Sequence, residues 1–322
     1  MSSEHLKETF GEPKSMYSGH NEALIQLAKG NEKVVVLYAD FPQGSAGPYY
    51  KEEFPDRICN LGIAEANMIT VAAGLAEAGM IPYTHCHSIF AVGRAYNQIR
   101  QAAFDRLNVK FVLCNTGMFW TFMGGSHQVI EDIAALRALP DLALVSPSDA
   151  VEAKKAALAA AIHEGPVAIR LAEPDVPVIH KDDYPFEIGR AVTLREGTDV
   201  AIISTGIMLH YSLEAAALLA KEGIEATVVN MHTIKPLDER VVIQVAEKTG
   251  AIVTAEDSNI LGGLGGSIAE ILSENHPLPL HRVGVRDRFG QTGEMEELAR
   301  EYSLSKNDIV QAAKKVIKRK AV

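Results

Sequence analysis

Short apolar runs that alternate with longer helical segments constrain the fold of this chain more than any other feature of its sequence. The runs span residues 34–39, 109–114, 142–146 and 167–171, and they are rich in Val, Leu and Ile. Such runs are typical of strands that are buried on both faces of a sheet. Between them, the segments 68–78 and 132–139 have the period and the stop signals of helices. The sequence therefore predicts a mostly parallel sheet wound with helices on both faces.

The pattern breaks and then restarts in the second half of the chain. Segment 173–183 carries Pro174, Pro177 and several charged residues, and we interpret it as the beginning of a linker. Further apolar runs follow at 199–204, 226–230 and 251–255, again separated by helical segments. Because 322 residues are many for one core, two domains are expected. We predict a first domain over residues 1–180 and a smaller α/β domain over residues 189–322.

Charge and cysteine content exclude several classes of protein. The net charge of -10 argues against a nucleic-acid partner, which would require a basic face. The three cysteines, Cys59, Cys86 and Cys114, are an odd number without a CxxC spacing, which favours free thiols in a reducing compartment. No apolar run approaches the roughly 18 residues that a membrane span needs. We therefore expect a cytoplasmic protein that binds neither nucleic acid nor membrane.

The most informative stretch surrounds Glu65. Residues 54–68 read FPDRICNLGIAEANM and lead into an alanine-rich helical segment. By its position alone, Glu65 is an acid near a helix start, where the helix dipole stabilises a carboxylate. A purely stabilising role is the simpler interpretation of that position.

The wider string resembles the pyrimidine-binding domain of the transketolase superfamily, in which the pattern Gly-Ile-x-Glu-x-x-Met carries an essential glutamate. Segments 230–238 (NMHTIKPLD) and 256–266 (EDSNILGGLGG) resemble the C-terminal domain of the same family. The resemblance thus extends through most of the chain. It implies two doubly wound α/β domains, a mostly parallel-sheet pyrimidine-binding domain followed by a smaller transketolase C-terminal-like domain.

The resemblance also implies thiamine diphosphate as the cofactor and gives Glu65 a catalytic role. A carboxylic acid against N1′ of the aminopyrimidine stabilises the imino tautomer that takes the C2 proton of the thiazolium. In a dry cleft such an acid is expected to hold its proton more tightly than in water. Ile63 and Asp40 are expected as further cofactor contacts. The protein positions and tunes the cofactor, which carries out the chemistry.

Phe90 and His87 belong to a segment, 81–90, that resembles the family strand ending at the cofactor ring. Phe90 falls where the family places its stacking phenylalanine, although ordinary core packing is the alternative. His87 is expected to line the active site and to contact substrate. His85 and His87 lie on one face of the strand, but no third ligand has the spacing of a metal site. We therefore expect no metal ligands in this chain.

Two further residues are expected to bind substrate. His127, in Gly124-Gly-Ser-His-Gln128, looks like the histidine of the family's Gly-x-x-His-Gln at a helix start. It could donate a hydrogen bond to the substrate oxygen and so act in catalysis, and the alternative is a helix cap at Ser126 with an incidental neighbour. Asn115 stands where the family has another histidine.

The chain departs from the family pattern where sugar phosphates bind. Met123 replaces an acid, Glu173 replaces an arginine, and the segment 13–18 holds only a lysine. A bidentate arginine is the natural partner of a phosphate. We therefore expect a donor that lacks the usual terminal phosphate or carries another anionic group. The apolar loop 118–123 either changes the polarity of the site or packs against a partner subunit.

A missing motif indicates that the enzyme is split between two chains. The family binds Mg²⁺ and the diphosphate through Gly-Asp-Gly, which does not occur in this sequence. We therefore predict an N-terminal, diphosphate-binding transketolase subunit as partner, in an α2β2 assembly that transfers a two-carbon ketol unit from a ketose to an aldehyde. The alternatives are the β subunit of a 2-oxo acid dehydrogenase E1 component, a deoxyxylulose-phosphate-synthase-like enzyme, and a non-enzymatic assembly partner.

Overall fold

The computed structural model describes residues 10–41 and 47–321, and it divides them between two large sheets and their helices. The first half contains β1 (Gly11–Lys14), α1 (Met16–Gly30), β2 (Val34–Tyr38), α2 (Gly47–Glu53), β3 (Ile58–Asn60), α3 (Glu65–Glu77), β4 (Ile81–His87), α4 (Ser88–Phe104), β5 (Lys110–Cys114), α5 (Asp132–Arg137), β6 (Ala143–Val145), α6 (Ala150–Ile162), β7 (Val167–Leu171) and β8 (Val176–Val178). The second half contains β9 (Val192–Arg195), β10 (Val200–Ser204), α7 (Met208–Lys221), β11 (Ala226–Asn230), β12 (Thr233–Lys235), α8 (Glu239–Thr249), β13 (Ile252–Asn259), α9 (Leu264–Asn275), β14 (Leu280–Val285), α10 (Met295–Glu301) and α11 (Lys306–Lys318).

The first sheet has seven strands in the order β12-β6-β7-β5-β4-β2-β3. All of its neighbouring pairs are parallel except the edge pair of β12 with β6. Alternating residues of β2 point to opposite faces. Val36 packs with residues of α1 and α6, and Leu37 packs with residues of α3 and α4. Helices therefore cover both faces, as the apolar runs predict.

The second sheet has five strands in the order β14-β13-β10-β11-β9, and only β9 is antiparallel to its neighbour. Helices α8 and α9 bury one face, for example through Val242 and Ile268. Helices α7 and α11 bury the other, for example through Leu219 and Ile309. This second, smaller parallel sheet confirms the expected fold class of two doubly wound α/β units.

One strand from the second half of the chain completes the first sheet, and the sequence pattern does not show it. β12 follows β11 after two residues and pairs with β6, with Thr233 opposite Val145. The amide of Ser146 also donates a hydrogen bond to the carbonyl of His232, at 2.7 Å. Segment 173–183 holds a second unexpected strand, because β8 pairs with β1 in a small antiparallel sheet.

A buried ionic network ties the two halves together. Arg170 on β7 is 1% exposed and contacts Asp132 at the start of α5, with Nε to Oδ2 at 2.9 Å. It also donates to Asp257 on β13, at 3.3 Å. The carboxylate of Asp257 lies against Gly117, where a Cβ atom would approach it to 1.8 Å. The two aspartates that pair with Arg170, and the close contact of Asp257 with Gly117, thus fix the two halves of the chain to each other.

Candidate cofactor and substrate site

The candidate site lies at the carboxyl ends of neighbouring parallel strands in the first sheet. Asp40 follows β2, Glu65 begins the helix after β3, His87 ends β4 and Asn115 follows β5. Open α/β sheets bind their ligands at this edge because the loops there bring side chains from several strands together. The strand order therefore gathers residues that are 75 positions apart in sequence.

Glu65 is the first residue of α3, so the helix begins three residues earlier than the pattern indicates. The glutamate is only 4% exposed. Both carboxylate oxygens accept hydrogen bonds from Nη1 of Arg94, at 3.1 and 3.3 Å. The guanidinium carbon of Arg94 lies 4.1 Å from the ring centroid of Phe90. A flat cation therefore contacts the carboxylate and the phenyl face at once.

Phe90 and Arg94 are one helical turn apart on α4, and this spacing places their side chains on one face of the helix. Sequence reasoning missed Arg94. The i, i+4 spacing from an expected stacking ring is the signal that could have found it.

His87 packs against two aromatic rings at the end of β4. Its ring stacks on Trp120, with centroids 4.6 Å apart and planes at 23°, and Phe41 lies against it at 4.1 Å. Burial, followed by the charge of His127, lowers the pKa of His87 to about 4. The imidazole is therefore neutral at ordinary pH and can offer one donor and one acceptor.

Asn115 and Tyr17 fix the tautomer of that imidazole. The hydroxyl of Tyr17 accepts the backbone N–H of Asn115, at 2.9 Å, and donates to Oδ1 of its side chain. Nδ2 of Asn115 therefore faces Nδ1 of His87, at 2.9 Å, and donates to it. The remaining proton of His87 is left on Nε2. Asn115 has a φ of 58°, a left-handed conformation that asparagine adopts more readily than most residues.

His127 does not stand at a helix start, and that part of the expectation is wrong. It follows the short 3-10 helix Gly124–Ser126, and α5 begins only at Asp132. The hydroxyl of Ser126 lies 2.9 Å from Nδ1 of His127 and accordingly caps no helix. The imidazole nevertheless lies close to Trp120 and Phe90, at centroid distances of 5.2 and 5.4 Å.

Ile63 and Asp40 lie farther along the same edge. Ile63 is 73% exposed in the loop that precedes α3. Asp40 is exposed and exchanges two hydrogen bonds with Asn60, at 3.0 and 3.1 Å. The structure thus brings Phe90, His87, Asn115 and His127 into one cluster beside Glu65, and places Ile63 and Asp40 at its margin.

The apolar loop 118–123 is buried in its first half and exposed at its end. Met118 and Phe119 are fully buried, and Trp120 is 5% exposed against His87. Phe122 and Met123 are 64% and 38% exposed. The first half of the loop therefore belongs to the core and the site, and its end presents apolar surface to the outside.

The other histidine of β4, His85, belongs to the core. His85 is fully buried, with its Nε2 3.0 Å from Nε2 of His20. Across the part of the chain that the structure describes, no group of three or more His, Cys, Asp or Glu side chains is arranged to hold a metal ion. Within residues 10–41 and 47–321, no helix combines the length and apolar character that crossing a membrane requires.

The described residues fit the aminopyrimidine half of thiamine diphosphate. A buried carboxylate and an aromatic face already hold a flat, nitrogen-bearing group between them, which is what an aminopyrimidine ring requires.

Comparison with known proteins decides the family. The model of the transketolase pyrimidine-binding domain matches residues 12–178, and that of the transketolase C-terminal domain matches residues 189–309. The chain belongs to the transketolase family. Similar proteins include the 6-deoxy-6-sulfo-D-fructose transketolase subunit SqwH of Clostridium sp. (strain MSTE9), which is 42% identical over 93% of both chains.

A solved structure shares the fold at similar identity. It is described as a split gene transketolase in an inactive β4 tetramer, and it superposes with a TM-score of 0.90 at 41% identity over 95% of this chain and 99% of that one. This transketolase chain is therefore a subunit with a transferase role in a split enzyme, as the sequence predicts. The family implies thiamine diphosphate dependence, and the split-gene relatives imply a partner subunit.

The deoxyxylulose-phosphate-synthase-like alternative fits the comparisons less well. The 1-deoxy-D-xylulose-5-phosphate synthase 1 of Geobacter sulfurreducens is 36% identical, but this transketolase chain spans only 47% of its length. The similar subunit and the split-gene structure match nearly end to end instead.

Proposed function

We propose that this chain is the cofactor-activating subunit of a two-component, thiamine diphosphate-dependent transketolase. It transfers a two-carbon ketol unit from a ketose to an aldehyde, and it is active only with its partner. The observation that carries the proposal is the buried Glu65 carboxylate, which begins a helix beside the aromatic face of Phe90. Such a carboxylate has no structural need for this position, because an exposed first-turn acid would serve the helix dipole equally well.

Glu65 and Phe90 bind the aminopyrimidine in this proposal, and Ile63 and Asp40 border it. When bound, thiamine diphosphate supplies the carbon nucleophile of the reaction. Glu65 provides the hydrogen bond at N1′, and the ring of Phe90 orients the heterocycle. Ile63 offers a large apolar surface that is 73% exposed in this chain, as a residue at a cofactor or partner contact would.

His87 and His127 bind the sugar directly, whereas Asn115, which the sequence predicts to bind it as well, contacts His87 and Tyr17 instead. The neutral His87 donates from Nε2 to a donor oxygen because Asn115 occupies its Nδ1. His127 approaches from the opposite loop and donates to the oxygen on which charge develops. Asn115 acts through His87 and keeps its proton on the side of the substrate.

The partner subunit supplies the diphosphate and Mg²⁺ site, and the assembly is α2β2. The absence of Gly-Asp-Gly from the sequence supports this division. Residues 1–180 form the pyrimidine-binding domain and residues 189–322 the C-terminal domain, which contributes β12 to the first sheet. A cytoplasmic location accords with three free cysteines, one of them exposed.

The donor is a ketose that lacks the usual terminal phosphate or carries another anionic group in its place. Arg170 is buried in the ionic network and is unavailable to a substrate. Glu173, three residues later, is a carboxyl group whose pKa is raised by burial and then by Asp175. An acid at this place disfavours a phosphate dianion. A sulfonate carries one charge fewer, and 6-deoxy-6-sulfo-D-fructose appears in the name of a similar subunit.

Substrate specificity in the reconstituted enzyme tests the proposal. The chain is mixed with its candidate N-terminal partner, thiamine diphosphate and Mg²⁺, and aldehyde release is followed from three donors: D-fructose 6-phosphate, D-fructose and 6-deoxy-6-sulfo-D-fructose. We expect turnover only in the mixture, with the sulfonated or unphosphorylated donor preferred. Turnover of pyruvate in place of ketoses would overturn the assignment, and exclusive use of the phosphorylated donor would overturn the substrate proposal.

A further inference from the structure

Arg94 makes two contacts that a cofactor ring would also need. Nη1 of Arg94 bonds both oxygens of Glu65, and its guanidinium plane lies over Phe90. A guanidinium is planar, polar at its edge and able to stack on an aromatic face. An aminopyrimidine shares these three properties. The two groups therefore compete for one carboxylate and one ring.

We infer that Arg94 is a displaceable stand-in for the aminopyrimidine in the cofactor-free subunit, and that cofactor binding moves it into solvent. The inference rests on the proposed function, because it assumes that Glu65 and Phe90 receive thiamine diphosphate. Arg94 thereby lowers the affinity for the cofactor and pairs with the Glu65 carboxylate until the cofactor binds.

The exposure of Arg94 makes its departure easy. Its side chain is 51% exposed, whereas that of Glu65 is 5% exposed. The long arginine side chain can turn outward by rotating its own torsions without moving the backbone of α4. Arg170 is the contrasting case, since its side chain is 1% exposed and is bonded to two aspartates and Ser146.

The contact compensates the charge of Glu65 before the cofactor binds. Without Arg94, the Glu65 carboxylate would be buried with neither an ionic partner nor a cofactor, which is unfavourable. The pairing satisfies that carboxylate until the cofactor provides its own hydrogen bond. Half-exposed ion pairs contribute little to stability, so the cost of displacement is small but measurable.

Cofactor affinity in the two-subunit assembly tests the inference. Trp120 is the single tryptophan of this chain and stacks on His87. Incorporating 5-fluorotryptophan into this subunit alone gives one ¹⁹F resonance near the site. Thiamine diphosphate is titrated with Mg²⁺ held constant, and the Kd is read from that resonance for the wild type and three variants.

The variants separate displacement from general charge effects. Arg94→Met removes the competitor and is expected to lower the Kd about fivefold, the size of a half-exposed ion pair. Arg94→Lys keeps the charge but not the planar stacking, and it should give an intermediate Kd. Arg100→Met, on the exposed part of the same helix, is the matched control and should change the Kd less than twofold.

An unchanged or higher Kd for Arg94→Met would overturn the inference, because Arg94 would then be neutral toward the bound cofactor or in contact with it. Failure of the wild-type assembly to bind thiamine diphosphate would instead overturn the proposed function, and the inference with it. The two failures are distinguished by the wild-type titration.

Discussion

Two arginine–carboxylate pairs of this transketolase subunit use the same groups in opposite environments. Arg170 and its aspartates lie at the junction of the two sheets, where the side chains are 0–2% exposed. Arg94 and Glu65 lie at the open edge of the first sheet, where the arginine is 51% exposed. The first pair is closed to solvent, and the second is open to solvent on the side of the arginine.

We interpret the pair in which both partners are buried as structural, and the pair in which only the acid is buried as part of the proposed cofactor site. A charge removed from water must be compensated wherever it lies. At the junction the compensation is permanent, because Arg170 makes several bonds and its pKa is raised by the charges of Asp132 and Asp257, which outweigh burial. At the edge the compensation comes from a half-exposed arginine, which we propose is displaced by the cofactor.

The largest expected effect is on the closed pair. Arg170→Met should leave two buried aspartates unpaired and lower the free energy of unfolding by about 3–5 kcal/mol. Urea denaturation followed by circular dichroism measures it. The exposed Arg190→Met is the matched control and should change stability by less than about 0.5 kcal/mol. A loss below about 1 kcal/mol for Arg170→Met would show that the junction does not depend on this network.

The open pair should show the reverse behaviour. Glu65→Gln keeps the shape of the side chain but removes its acid–base function, so kcat in the assembled enzyme should fall at least about 100-fold. Stability should change by less than about 1 kcal/mol. Glu77→Gln, at the exposed end of the same helix, is the control and should retain full activity. A normal kcat for Glu65→Gln would show that Glu65 only stabilises the start of its helix and takes no part in catalysis.

A smaller effect is expected at Asn115, which acts through His87. Asn115→Asp replaces the Nδ2 donor with an oxygen, so the proton of His87 should move from Nε2 to Nδ1. We expect about a tenfold loss of kcat. The ¹⁵N shifts of His87 report the tautomer directly. Lost activity without a tautomer change would contradict the proposed positioning role.

The smallest effect concerns pH and a third buried pair, Asp149 and His180, whose Oδ2 and Nδ1 are 3.0 Å apart. Burial alone would lower the pKa of His180, but the bond to Asp149 and the charge of Glu152 raise it above 6.5. Burial alone would raise the pKa of Asp149, but bonds to His180 and to backbone N–H groups lower it below 3.8.

The stabilising contribution of His180 is therefore complete below pH 6.5 and is lost as the pH rises through its raised pKa. That of Asp149 is present above pH 3.8 and is lost on acidification through its lowered pKa. Unfolding at a series of pH values should show a decline of about 1 kcal/mol above pH 6.5. His180→Gln should abolish that decline. A decline that persists in the variant would assign it to another group.

Sequence patterns predict those features that depend on local periodicity or on a continuous motif. The strands 167–171 and 226–230 are found as expected, and Glu65 is found in the helix start that its motif requires. His87 lies at the end of its strand, whereas Phe90, which the sequence predicts to end the same strand, lies in the first turn of α4.

Features made by distant segments are not predictable in this way. β12 joins the first sheet by pairing with β6, which lies far from it in sequence. A strand of three residues is too short for its hydrophobic period to predict that pairing. Tyr17 meets Asn115 across 98 positions, and Trp120 reaches His87 from a loop. The loop before His127 contains three small residues, and its short 3-10 turn replaces the expected helix start.

Thiamine diphosphate binding, measured by calorimetry with Mg²⁺ present, tests the central claim of a split active site most directly. The chain is titrated alone and then after mixing with its N-terminal partner. The account predicts strong binding only in the mixture, because this chain supplies the pyrimidine half of the site and its partner the diphosphate half. Equally tight binding by this chain alone would contradict it, since the diphosphate site would then lie here.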